Sequence, residues 1–477
     1  MDPIFKNIIE KARQGAAVRD DSRSVGTGDI FVAVGEAGAR YIPQAVQAGA
    51  AYVVHDAGGE AISGGKAVTL KVPDARTALG ELARARYGAA RRDLKLIGIT
   101  GTNGKTTVAY LLEHLFSVLG RRAGVIGTVG YRWPGHDERA PLTTPGCLRL
   151  HKLLAEMAEA GTELAIMEVS SHALAQKRVA GLAFDAVALT NVTQDHLDYH
   201  GDMEKYFAAK ATLFTCYPGP AKPAAINGDD PYGRRLLAEL PGALAYGLGE
   251  PPAGREKMLR GRIQASSIAG LSLEMSLGRE RWSVASPLIG AHNAANLLTA
   301  QALALLMGLT PADLGELSGC AGAPGRLEWI KNHRGLDVFV DYAHTPDALR
   351  SVLSALRPLT AGRLVAVFGC GGDRDKTKRP LMGAAVAEAA DVVALTSDNP
   401  RFEEPEAIIE DVIPGLVACK HLIVEPDRKT AIAMALELVR PGDTLLVAGK
   451  GHEDYQEIRG VRSPFSDAAV IRELLAC

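Results

Sequence analysis

Apolar, often β-branched runs that stop at glycine or polar residues recur through the central part of the chain. Residues 94–100 form one such run and end at glycines, and residues 107–119 then carry apolar side chains at helical spacing. Residues 164–168, 186–190 and 224–226 repeat the apolar pattern, and each precedes polar residues. Such runs are typical of parallel strands, because helices cover both faces of their sheet. The pattern therefore predicts an α/β region with a mostly parallel sheet.

The last third of the chain shows the most regular alternation. Apolar runs at residues 336–340, 363–368, 392–396, 421–424 and 444–447 alternate with helical patterns near residues 346–356, 380–389, 404–417, 429–438 and 467–475. Five β-α units of this kind predict a Rossmann-like, doubly wound parallel sheet. Polar clusters follow the five runs, beginning at Asp341, Gly371, Asp398, Asp427 and Gly449. Because the carboxyl ends of parallel strands meet at one edge, we expect the clusters to line a single crevice.

Length and pattern together set the expected domains. The chain has 477 residues, and at about 150 residues per domain three domains are expected. The first is a small α/β unit with strands predicted at residues 29–34, 51–55 and 67–72 and helices at residues 42–49 and 75–87. We place the domains at residues 1–90, 91–325 and 326–477, the second a P-loop-type ATPase and the third Rossmann-like.

Composition narrows the classes of partner. Lys and Arg number 53 against 55 Asp and Glu, a balance that favours neither nucleic acid nor anionic membranes. The six cysteines include no CxxC pair, which opposes a disulfide framework or a zinc knuckle. There is no signal-type N-terminus and no uncharged apolar run of about 18 residues. These features predict a cytoplasmic protein with a small substrate, no nucleic acid and no membrane anchor.

The first central run leads into GITGTNGKTT at residues 98–107. A strand, a glycine turn and a helix N-terminus together are typical of a phosphate cradle, because glycines let backbone N–H groups approach an oxyanion. Lys105 adds a positive charge, and the Thr106 and Thr107 hydroxyls can reach a phosphate or its Mg²⁺. Ile99 stands where the strict P-loop pattern has its first glycine, so the match is to a variant. The alternative is a glycine-rich turn followed by an ordinary surface lysine.

Four other features of the central region carry candidate chemistry. Glu168 ends an apolar run and is either a Mg²⁺ ligand or a surface carboxylate. Residues 191–201 (NVTQDHLDYHG) concentrate carboxylates and imidazoles, as metal sites, acid–base sites and solvated loops all do. Lys210 lies in a helix predicted over residues 203–214, where an exposed lysine is the default. Asn293 and Asn296, one turn apart in a predicted helix, either read an adenine edge or bond locally.

Ten motifs occur in one order along the chain. They are GTNGKTT, TTPG (143–146), EVSSHAL (168–174), NVTQDHLDYHG, the Lys210 helix, GRLEW (325–329), DYAHTPDAL (341–349), FGCGGDRDKTKRPLMG (368–383), DNPR (398–401) and AGKGHEDYQ (448–456). Together they resemble the Mur ligases of peptidoglycan synthesis, and within them the branch that adds meso-diaminopimelate. The resemblance covers essentially the whole chain. It implies an ATP-dependent amide ligase whose domains bind a nucleotide sugar, bind ATP, and close over both.

The resemblance also implies cofactors and their ligands. ATP would be held by Gly101, Thr102, Asn103, Gly104, Lys105, Thr106, Thr107, Asn293 (adenine), Arg326 (phosphates) and Asp341 (ribose). Two Mg²⁺ ions are implied, with Thr106, Glu168, His196 and Lys210 as ligands. Lys210 matches a lysine that the family carbamylates with CO₂, and the resulting anion can bind a metal as an ammonium cannot. Because CO₂ reacts only with a neutral amine and free lysine has a pKa of about 10.4, this step needs a lowered pKa or trapping by metal.

Two substrates are implied, UDP-N-acetylmuramoyl-L-alanyl-D-glutamate and meso-diaminopimelate, and we expect a monomer. The positions that match the family's nucleotide-sugar contacts are Ser22, Thr143, Thr144, Ser170, Gln176 and Arg178. Leu142 stands where the family pattern has Asn, and the loop after Gly35 is shorter than usual. The amino-acid pocket would comprise Arg374, Asp398, Asn399, Pro400, Arg401, Gly449 and Glu453.

The implied reaction converts the D-glutamyl carboxylate into an acyl phosphate with release of ADP, and the diaminopimelate amine then displaces phosphate. The amine must be neutral, and His344 is a candidate base whose alternative is a structural histidine. Arg401 would pair with the distal carboxylate that diaminopimelate has and lysine lacks. Sites of this kind reject the deficient analogue by roughly 10⁴-fold. Glu453 would face the distal ammonium.

Other classes of protein remain as alternatives. A lysine-adding ligase is opposed by DNPR, and a folylpolyglutamate synthase is opposed by the EVSSH and DHLDYHG motifs and the N-terminal domain. A P-loop switch or motor would hydrolyse ATP without the two substrates. A catalytically inactive scaffold is opposed by the presence of Lys105, Glu168, His196 and Lys210.

Overall fold

The computed structural model describes residues 2–57, 67–217, 223–255 and 257–475. The chain divides into two compact units. One comprises Met1–Thr100, Phe116–Ala188 and Ala208–Ala224, and the other comprises Gly101–Leu115, Leu189–Phe207 and Ala225–Cys477. Both are mixed α/β with mostly parallel strand pairs, which confirms the predicted fold class. None of the helices in the described ranges has the length and apolar character needed to cross a bilayer.

The first 90 residues contain a four-stranded parallel sheet in the order β1–β2–β3–β4. Its elements are α1 (Pro3–Arg13), β1 (Val18–Arg19), β2 (Ile30–Ala33), α2 (Gly35–Ala39), α3 (Ile42–Gln47), β3 (Tyr52–His55), β4 (Val68–Lys71) and α4 (Ala75–Tyr87). Alternate residues of β2 serve opposite faces. Ile30 and Val32 pack towards α1 and α4, whereas Phe31 and Ala33 pack towards α3. The predicted strands and helices are confirmed to within two residues, and α1, β1 and α2 are additions.

The central elements include every strand and helix that the apolar runs predict. They are β5 (Lys95–Thr100), α5 (Lys105–Val118), β6 (Ala123–Ile126), β7 (Gly130–Trp133), β8 (His136–Arg139), α6 (Cys147–Glu159), β9 (Leu164–Glu168), α7 (Ser171–Ala175), β10 (Ala186–Leu189), α8 (Leu197–His200), α9 (Met203–Cys216), β11 (Ala224–Asn227), α10 (Pro231–Glu239), β12 (Leu244–Gly247), β13 (Met258–Ser267), β14 (Gly270–Leu277), β15 (Glu280–Ser286) and α11 (Ala291–Leu306). In the first unit the strand order is β10–β5–β9–β6–β7–β8, and in the second it is β11–β12–β13–β14–β15.

Two antiparallel segments lie outside the parallel pattern that the sequence indicates. Strand β6 pairs antiparallel with β7, and β7 with β8. Strands β13, β14 and β15 form an antiparallel meander. The runs of β7, β8 and β13–β15 are interrupted by charged and polar residues, because their sheet faces are partly exposed, so they lack the continuous apolar signal of a buried parallel strand.

The C-terminal region forms a six-stranded sheet in the order β16–β17–β21–β18–β19–β20. Its elements are β16 (Glu328–Trp329), β17 (Asp337–Asp341), α12 (Pro346–Leu356), β18 (Leu364–Phe368), α13 (Lys378–Ala389), β19 (Val392–Leu395), α14 (Pro405–Val412), β20 (Leu422–Val424), α15 (Arg428–Leu438), β21 (Thr444–Ala448), and, beyond the sheet, β22 (Tyr455–Ile458), β23 (Val461–Pro464) and α16 (Asp467–Leu475). The four strand pairs β17–β21, β21–β18, β18–β19 and β19–β20 are all parallel. One face packs on α12, α13 and α14 and the other on α15 and α16, which confirms a doubly wound sheet.

One predicted helix of this region is shorter than expected. The pattern predicts a helix over residues 404–417, but α14 ends at Val412 and continues as a 3-10 turn over Ile413–Leu416. Pro414 lies in that turn. Because proline has no N–H and clashes with the preceding helical turn, it ends the α-helix there.

A fully buried ion pair joins α15 to α16. The Arg428 guanidinium donates to both carboxylate oxygens of Asp467, each at 2.8 Å, and neither side chain is exposed. Arg428 also donates to the carbonyl oxygens of Ser397 and Ala448 at 3.1 and 2.8 Å. These two carbonyls lie just after β19 and at the end of β21, so the pair ties the strand-end loops to the helices.

We expect the Asp467→Ala variant to lose about 3–5 kcal/mol of unfolding free energy, because it leaves the Arg428 charge buried without its carboxylate. The matched control is Glu473→Ala on the same helix, which removes an exposed ion pair with Lys429 and should cost at most about 1 kcal/mol. Urea unfolding followed by circular dichroism measures both. Equal losses in the two variants would contradict the assignment of Arg428 and Asp467 as a fold-stabilising pair.

Candidate active site

The glycine turn between β5 and α5 has room for glycine only at two positions. Gly101 and Gly104 have φ values of +150° and +88°. A Cβ at position 101 would lie 1.9 Å from Thr190 Oγ1, and one at position 104 would lie 2.2 Å from Asn296 Oδ1. Lys105 Nζ donates to the carbonyl oxygens of Gly101 and Thr102, both at 2.8 Å. The lysine that would meet a phosphate therefore lies over the turn.

The loop after β10 braces this turn. The N–H groups of Thr102 and Asn103 donate to Asn191, to its carbonyl and side-chain oxygens, at 2.8 and 2.9 Å. Thr190 Oγ1 donates to the Asn103 carbonyl at 2.6 Å, and the Thr193 N–H donates to Thr102 Oγ1 at 3.0 Å. Two N–H groups of the turn are thus bonded within the protein, and these bonds hold the turn against the loop after β10. The sequence did not predict this role of Asn191. The only indication was that a polar residue follows the apolar run of residues 186–190.

A cleft in the second unit gathers several of the predicted nucleotide-binding residues. Its empty volume is about 790 Å³, open solvent at its mouth included. The lining residues that the sequence predicts are Asn103, Gly104, Thr107, Asn293, Arg326, Asp341 and His344. Those that it did not single out include His292, Tyr342, Asp347 and Ser351. The turn, the start of α11 and the end of β17 therefore face one cavity.

The two asparagines of α11 are buried and bonded locally. Asn293 Nδ2 donates to the Ile289 carbonyl at 2.9 Å, and Asn296 Nδ2 donates to Asn293 Oδ1 at 3.0 Å. Each amide has one further N–H and free lone pairs, so adenine contact by Asn293 stays a prediction. The neighbouring His292 has no hydrogen-bond partner for Nδ1 among the described residues. Burial lowers the pKa of His292 to about 4, so its ring is neutral at pH 7.

Arg326 and Asp341 meet at the same cleft. Asp341 accepts the N–H groups of Leu327 and Ala343 at 2.6 and 2.7 Å. Burial raises the pKa of Asp341, although Arg326 and the two N–H groups oppose the shift. Arg326 lies 4.5 Å over the ring of Tyr342 and donates to Thr106 Oγ1 at 3.3 Å. Asp341 therefore shapes the backbone around Arg326, and its predicted ribose contact remains a prediction.

A charged cluster surrounds Asp195. Its carboxylate lies 3.4 Å from His196 Nε2 and 3.6 Å from Lys378 Nζ. Burial would raise the pKa of Asp195, but His196, His344 and Lys378 together hold it well below its usual value. His344 Nδ1 is bonded to the Tyr342 carbonyl at 2.8 Å, and burial lowers its pKa. Lys378, inside the 368–383 motif, is a residue that sequence reasoning did not single out.

Glu168 and its neighbours form a compact group in the first unit. The Glu168 side chain is 1% exposed and accepts the N–H and hydroxyl of Thr128 at 2.9 and 3.0 Å. Thr144 Oγ1 donates to the Glu168 carbonyl and accepts the Ser170 N–H. Thr143 Oγ1 lies 3.1 Å from Thr128 Oγ1. The alternative of a surface carboxylate is therefore wrong.

Lys210 is also far from an ordinary helix lysine. It lies in α9 and is 2% exposed, whereas Lys205 on the same helix is exposed and paired with Asp202. The default interpretation from the local sequence, an exposed lysine, is thus wrong. Glu168 and Lys210 belong to the first unit, and Lys105 and His196 belong to the second.

The remaining predicted nucleotide-sugar contacts fall into two places. Arg178 donates to Gln176 Oε1 through Nε and Nη2, at 3.0 and 2.7 Å, and to the Thr144 carbonyl through Nη1 at 2.9 Å. Ser22 starts a 3-10 turn and donates to Gln44 Oε1 at 2.9 Å. Arg178 and Gln176 thus join the Thr144 group. Leu142, the departure from the family pattern, is 47% exposed.

Several of the residues predicted for the amino-acid pocket lie in the loops that follow β19 and β21. Asn399 Nδ2 donates to Glu453 Oε2 at 2.8 Å, and Lys450, which is fully buried, donates to Asn399 Oδ1 at 2.9 Å. Burial and Asp398 raise the pKa of Glu453, while Lys450 opposes the shift. The Arg401 guanidinium donates to the Gly372 carbonyl oxygen at 2.6 Å.

Two glycines let the loops of this pocket meet. A Cβ at Gly449 would lie 2.6 Å from Asp398 Oδ2, and one at Gly372 would lie 1.9 Å from the Pro400 carbonyl. The fourth expected cluster differs from the prediction. Asp427 caps α15 by accepting the Thr430 N–H, and Arg428 is buried in its ion pair. The crevice is therefore lined by fewer strand ends than the sequence indicates, because this cluster is used to build the fold.

A phosphate turn, a cleft beside it, and a doubly wound sheet with a charged strand-end pocket define a nucleotide-dependent α/β enzyme. The chain matches the Mur ligase middle domain over residues 99–304 and the Mur ligase glutamate ligase domain over residues 325–451. It is 53% identical to the UDP-N-acetylmuramoyl-L-alanyl-D-glutamate--2,6-diaminopimelate ligase of Lawsonia intracellularis, over 96% of this chain and 95% of that protein. The chain belongs to the Mur ligase family and is an ATP-dependent ligase.

Solved structures agree with this placement. A structure of a UDP-N-acetylmuramoyl-L-alanyl-D-glutamate--2,6-diaminopimelate ligase matches with a TM-score of 0.69 and 35% identity, covering 97% of this chain and 95% of that one. The MurF ligase from Thermotoga maritima, solved with ADP, matches with a TM-score of 0.60 and 19% identity, covering 100% and 98%. At that identity the second match shows the shared fold alone.

We expect Gly104→Ala to weaken ATP binding by at least about tenfold, because the added Cβ meets Asn296 and forces the cradle open. Gly308→Ala is the matched control, since Gly308 also has positive φ (+91°) but nothing within 4 Å of its Cβ position. Both variants carry the left-handed backbone cost of about 1–2 kcal/mol, so only the contact differs. Calorimetric titration with ATP measures the effect, and equal affinities in the two variants would contradict it.

Proposed function

We propose that this chain adds meso-diaminopimelate to the D-glutamyl carboxylate of UDP-N-acetylmuramoyl-L-alanyl-D-glutamate at the expense of ATP. The observation that carries the proposal is the placement of a guanidinium near a carboxylate. Arg401 lies on the same loop as Asn399, and the Asn399 amide donates to Glu453. A carboxylate-binding guanidinium beside an acidic group fits an amino acid whose far end carries both a carboxylate and an ammonium. The relatives named for this reaction match over nearly the whole chain.

The proposal assigns a role to each region. Residues 1–90 would bind the nucleotide sugar, residues 91–325 would bind ATP, and residues 326–477 would bind the amino acid. The four-stranded and six-stranded sheets, at either end of the chain, support separate first and third domains. We propose that the protein acts in the cytoplasm as a monomer, without nucleic acid.

ATP binding is supported by the turn and its cleft. Lys105 and the N-terminus of α5 would meet the phosphates, since a helix N-terminus and an ammonium both favour anions. Arg326, at 3.3 Å from Thr106 Oγ1, would neutralise further phosphate charge. Asn293 and the neutral His292 line the cleft on the side of α11, where an adenine edge would offer donors and acceptors.

Mg²⁺ fits the oxygen donors that are present. Mg²⁺ prefers oxygen ligands and is commonly held by one or two carboxylates together with substrate phosphates. Thr106 and Glu168 supply such oxygens, and both are buried, while His196 would add a nitrogen. No cluster of three His, Cys, Asp or Glu side chains suited to a metal occurs within the described ranges, so phosphate and carbamate oxygens would complete the sites. When bound, the ions offset the negative charge of the phosphates.

The reaction would then use the chain's own groups for placement and proton transfer. The peptide end of the nucleotide sugar would be held by Thr143, Thr144, Ser170 and Arg178. Thr144 is bonded to Ser170 through its hydroxyl and to Arg178 through its carbonyl. The D-glutamyl oxygen attacks the γ-phosphorus, ADP leaves, and the diaminopimelate amine attacks the acyl carbon as phosphate departs. His344, whose pKa is lowered by burial, would accept the proton of the amine.

Arg401→Ala should raise KM for diaminopimelate by at least about 10²-fold, because each of two charged hydrogen bonds is worth about 1.5–3 kcal/mol. ATP affinity should stay unchanged. Purified protein is assayed for ADP formation with the nucleotide-sugar dipeptide and either meso-diaminopimelate or lysine. Arg472→Ala, an exposed arginine paired with Glu328, serves as the control.

Each outcome of this assay decides between classes of protein. Wild-type turnover with diaminopimelate but not lysine supports the proposal, and the reverse preference indicates a lysine-adding ligase. ADP formation that needs neither substrate would indicate a P-loop switch. An Arg401→Ala variant with an unchanged KM for diaminopimelate would remove Arg401 from the pocket.

We further propose that Lys210 carries a carbamate, as its burial supports. Incubation with ¹³C-bicarbonate should give a carbamate carbon signal in the NMR spectrum, and Lys210→Arg should lose both that signal and most of the activity, because a guanidinium forms no carbamate. Lys205→Arg on the same helix is the matched control and should keep both. A signal that persists in Lys210→Arg would contradict the assignment.

A further inference from the structure

A two-stranded hairpin follows the AGKGHEDYQ motif and stands apart from the six-stranded sheet. Strands β22 and β23 pair antiparallel from Tyr455 opposite Pro464 to Ile458 opposite Val461. The turn residues Arg459 and Gly460 have φ values of +51° and +77°, as tight hairpin turns require. An isolated hairpin of this length is marginally stable in water, so its persistence depends on what it contacts.

The hairpin contacts the loop of residues 398–401 along its length. Gln456 Nε2 donates to the Asp398 carbonyl at 2.9 Å, and the Glu457 N–H donates to Asn399 Oδ1 at 3.0 Å. The Arg401 N–H donates to the Glu457 carbonyl at 3.0 Å, and the Arg459 N–H donates to the Arg401 carbonyl at 2.5 Å. Four hydrogen bonds therefore join β22 and its turn to a loop of four residues.

Arg401 needs this support because its backbone is strained. Its φ is +54°, a left-handed conformation that costs a non-glycine residue about 1–2 kcal/mol. Such a conformation persists only where the surroundings impose it. Both backbone polar groups of Arg401 are bonded to the hairpin, in a bridge opposite Ile458. Strand β22 thus fixes the backbone from which the Arg401 side chain leaves the loop, while the guanidinium donates to the Gly372 carbonyl at 2.6 Å.

A further contact of the hairpin reaches the pocket, since Lys450 Nζ lies 5.6 Å from the centre of the Tyr455 ring. Arg462 lies 4.4 Å over the Tyr455 ring and pairs with Glu457 at 3.0 Å. Arg459 pairs with Glu404 on the surface. At the base of the hairpin, the Phe465 N–H donates to the Asp454 carbonyl at 2.9 Å. This hydrogen bond joins the two chain segments that flank the hairpin and involves no residue of the hairpin.

We propose that the hairpin of residues 455–464 is the positioning element for amino-acid selection. It holds Asn399 and Arg401 in the geometry that distinguishes an amino acid with a distal carboxylate from one without. The inference rests on the proposed function, since it deepens the role of the same pocket. The residues of β22 act through the 398–401 loop and are positioning residues.

The Glu457→Pro variant tests the proposal by removing one hydrogen bond between the hairpin and the 398–401 loop. The Glu457 N–H faces Asn399 and its carbonyl faces Arg401, so proline removes the bond to Asn399 without removing a hydrogen bond of the hairpin. Glu457→Ala is the matched control, because it removes the same side chain and keeps the N–H. We expect KM for diaminopimelate to rise roughly three- to tenfold in Glu457→Pro and to stay within about twofold in Glu457→Ala, with kcat and KM for ATP unchanged in both.

A second variant removes the element. Replacing residues 455–464 by Asn-Gly makes the Asp454 carbonyl and Phe465 N–H the ends of a four-residue β-turn, so their hydrogen bond is kept. We expect the preference for diaminopimelate over lysine to fall by at least about 10²-fold, because Arg401 is no longer held to match the distal carboxylate. Thermal unfolding and ATP affinity report whether the rest of the protein is intact.

The outcomes separate this inference from the proposed function. If the wild type uses diaminopimelate and an intact hairpin-deleted variant keeps the full preference over lysine, the hairpin is not the positioning element. If the wild type does not use diaminopimelate, the proposed function fails first. Should the deleted variant not fold, the comparison of Glu457→Pro with Glu457→Ala decides, and equal KM values for diaminopimelate would overturn the inference.

Discussion

The close packing of the glycine turn against the loop after β10 is the constraint on which the nucleotide site depends. Positions 101 and 104 leave space only for hydrogen, since a Cβ at either would overlap the side chains of Thr190 or Asn296. Asn191 then takes the N–H groups of Thr102 and Asn103. The turn is therefore rigid before a ligand arrives, and a preorganised cradle stabilises charge without reorganising during the reaction.

In the C-terminal region, several charged side chains are kept out of water at one edge of the six-stranded sheet. An isolated buried charge is costly, and it is tolerated only when it is paired and hydrogen-bonded. Arg428 meets Asp467 and two carbonyls, and Lys450 meets Asn399, which in turn meets Glu453. These bonds hold the loops after β19 and β21, so the same contacts that compensate the charges also shape the pocket.

The two sites differ in what makes them specific. The proposed nucleotide cleft combines a glycine turn with the buried amides of Asn293 and Asn296, groups suited to phosphate and to a flat ring edge. The proposed amino-acid pocket contains a strained arginine whose backbone is held by a hairpin outside the main sheet. On this proposal, a change in the 398–401 loop would alter the choice of amino acid without altering the glycine turn.

The sequence by itself determined the α/β class, the doubly wound sheet and the location of the phosphate turn. These follow from local signals, namely continuous apolar runs, helical spacing and glycines between a strand and a helix. It did not indicate the β13–β15 meander, whose partly exposed strands lack a continuous apolar run, or the end of α14 at Val412.

Only the tertiary structure decided which polar residues are buried and what they contact. The local sequence around Lys210 favours an exposed lysine, and only the fold buries it. Asp427 and Arg428 follow a strand as the pocket residues do, yet a cap and an ion pair use them for the fold. Burial and pairing depend on residues distant in the chain, and for that reason periodicity and spacing do not reveal them.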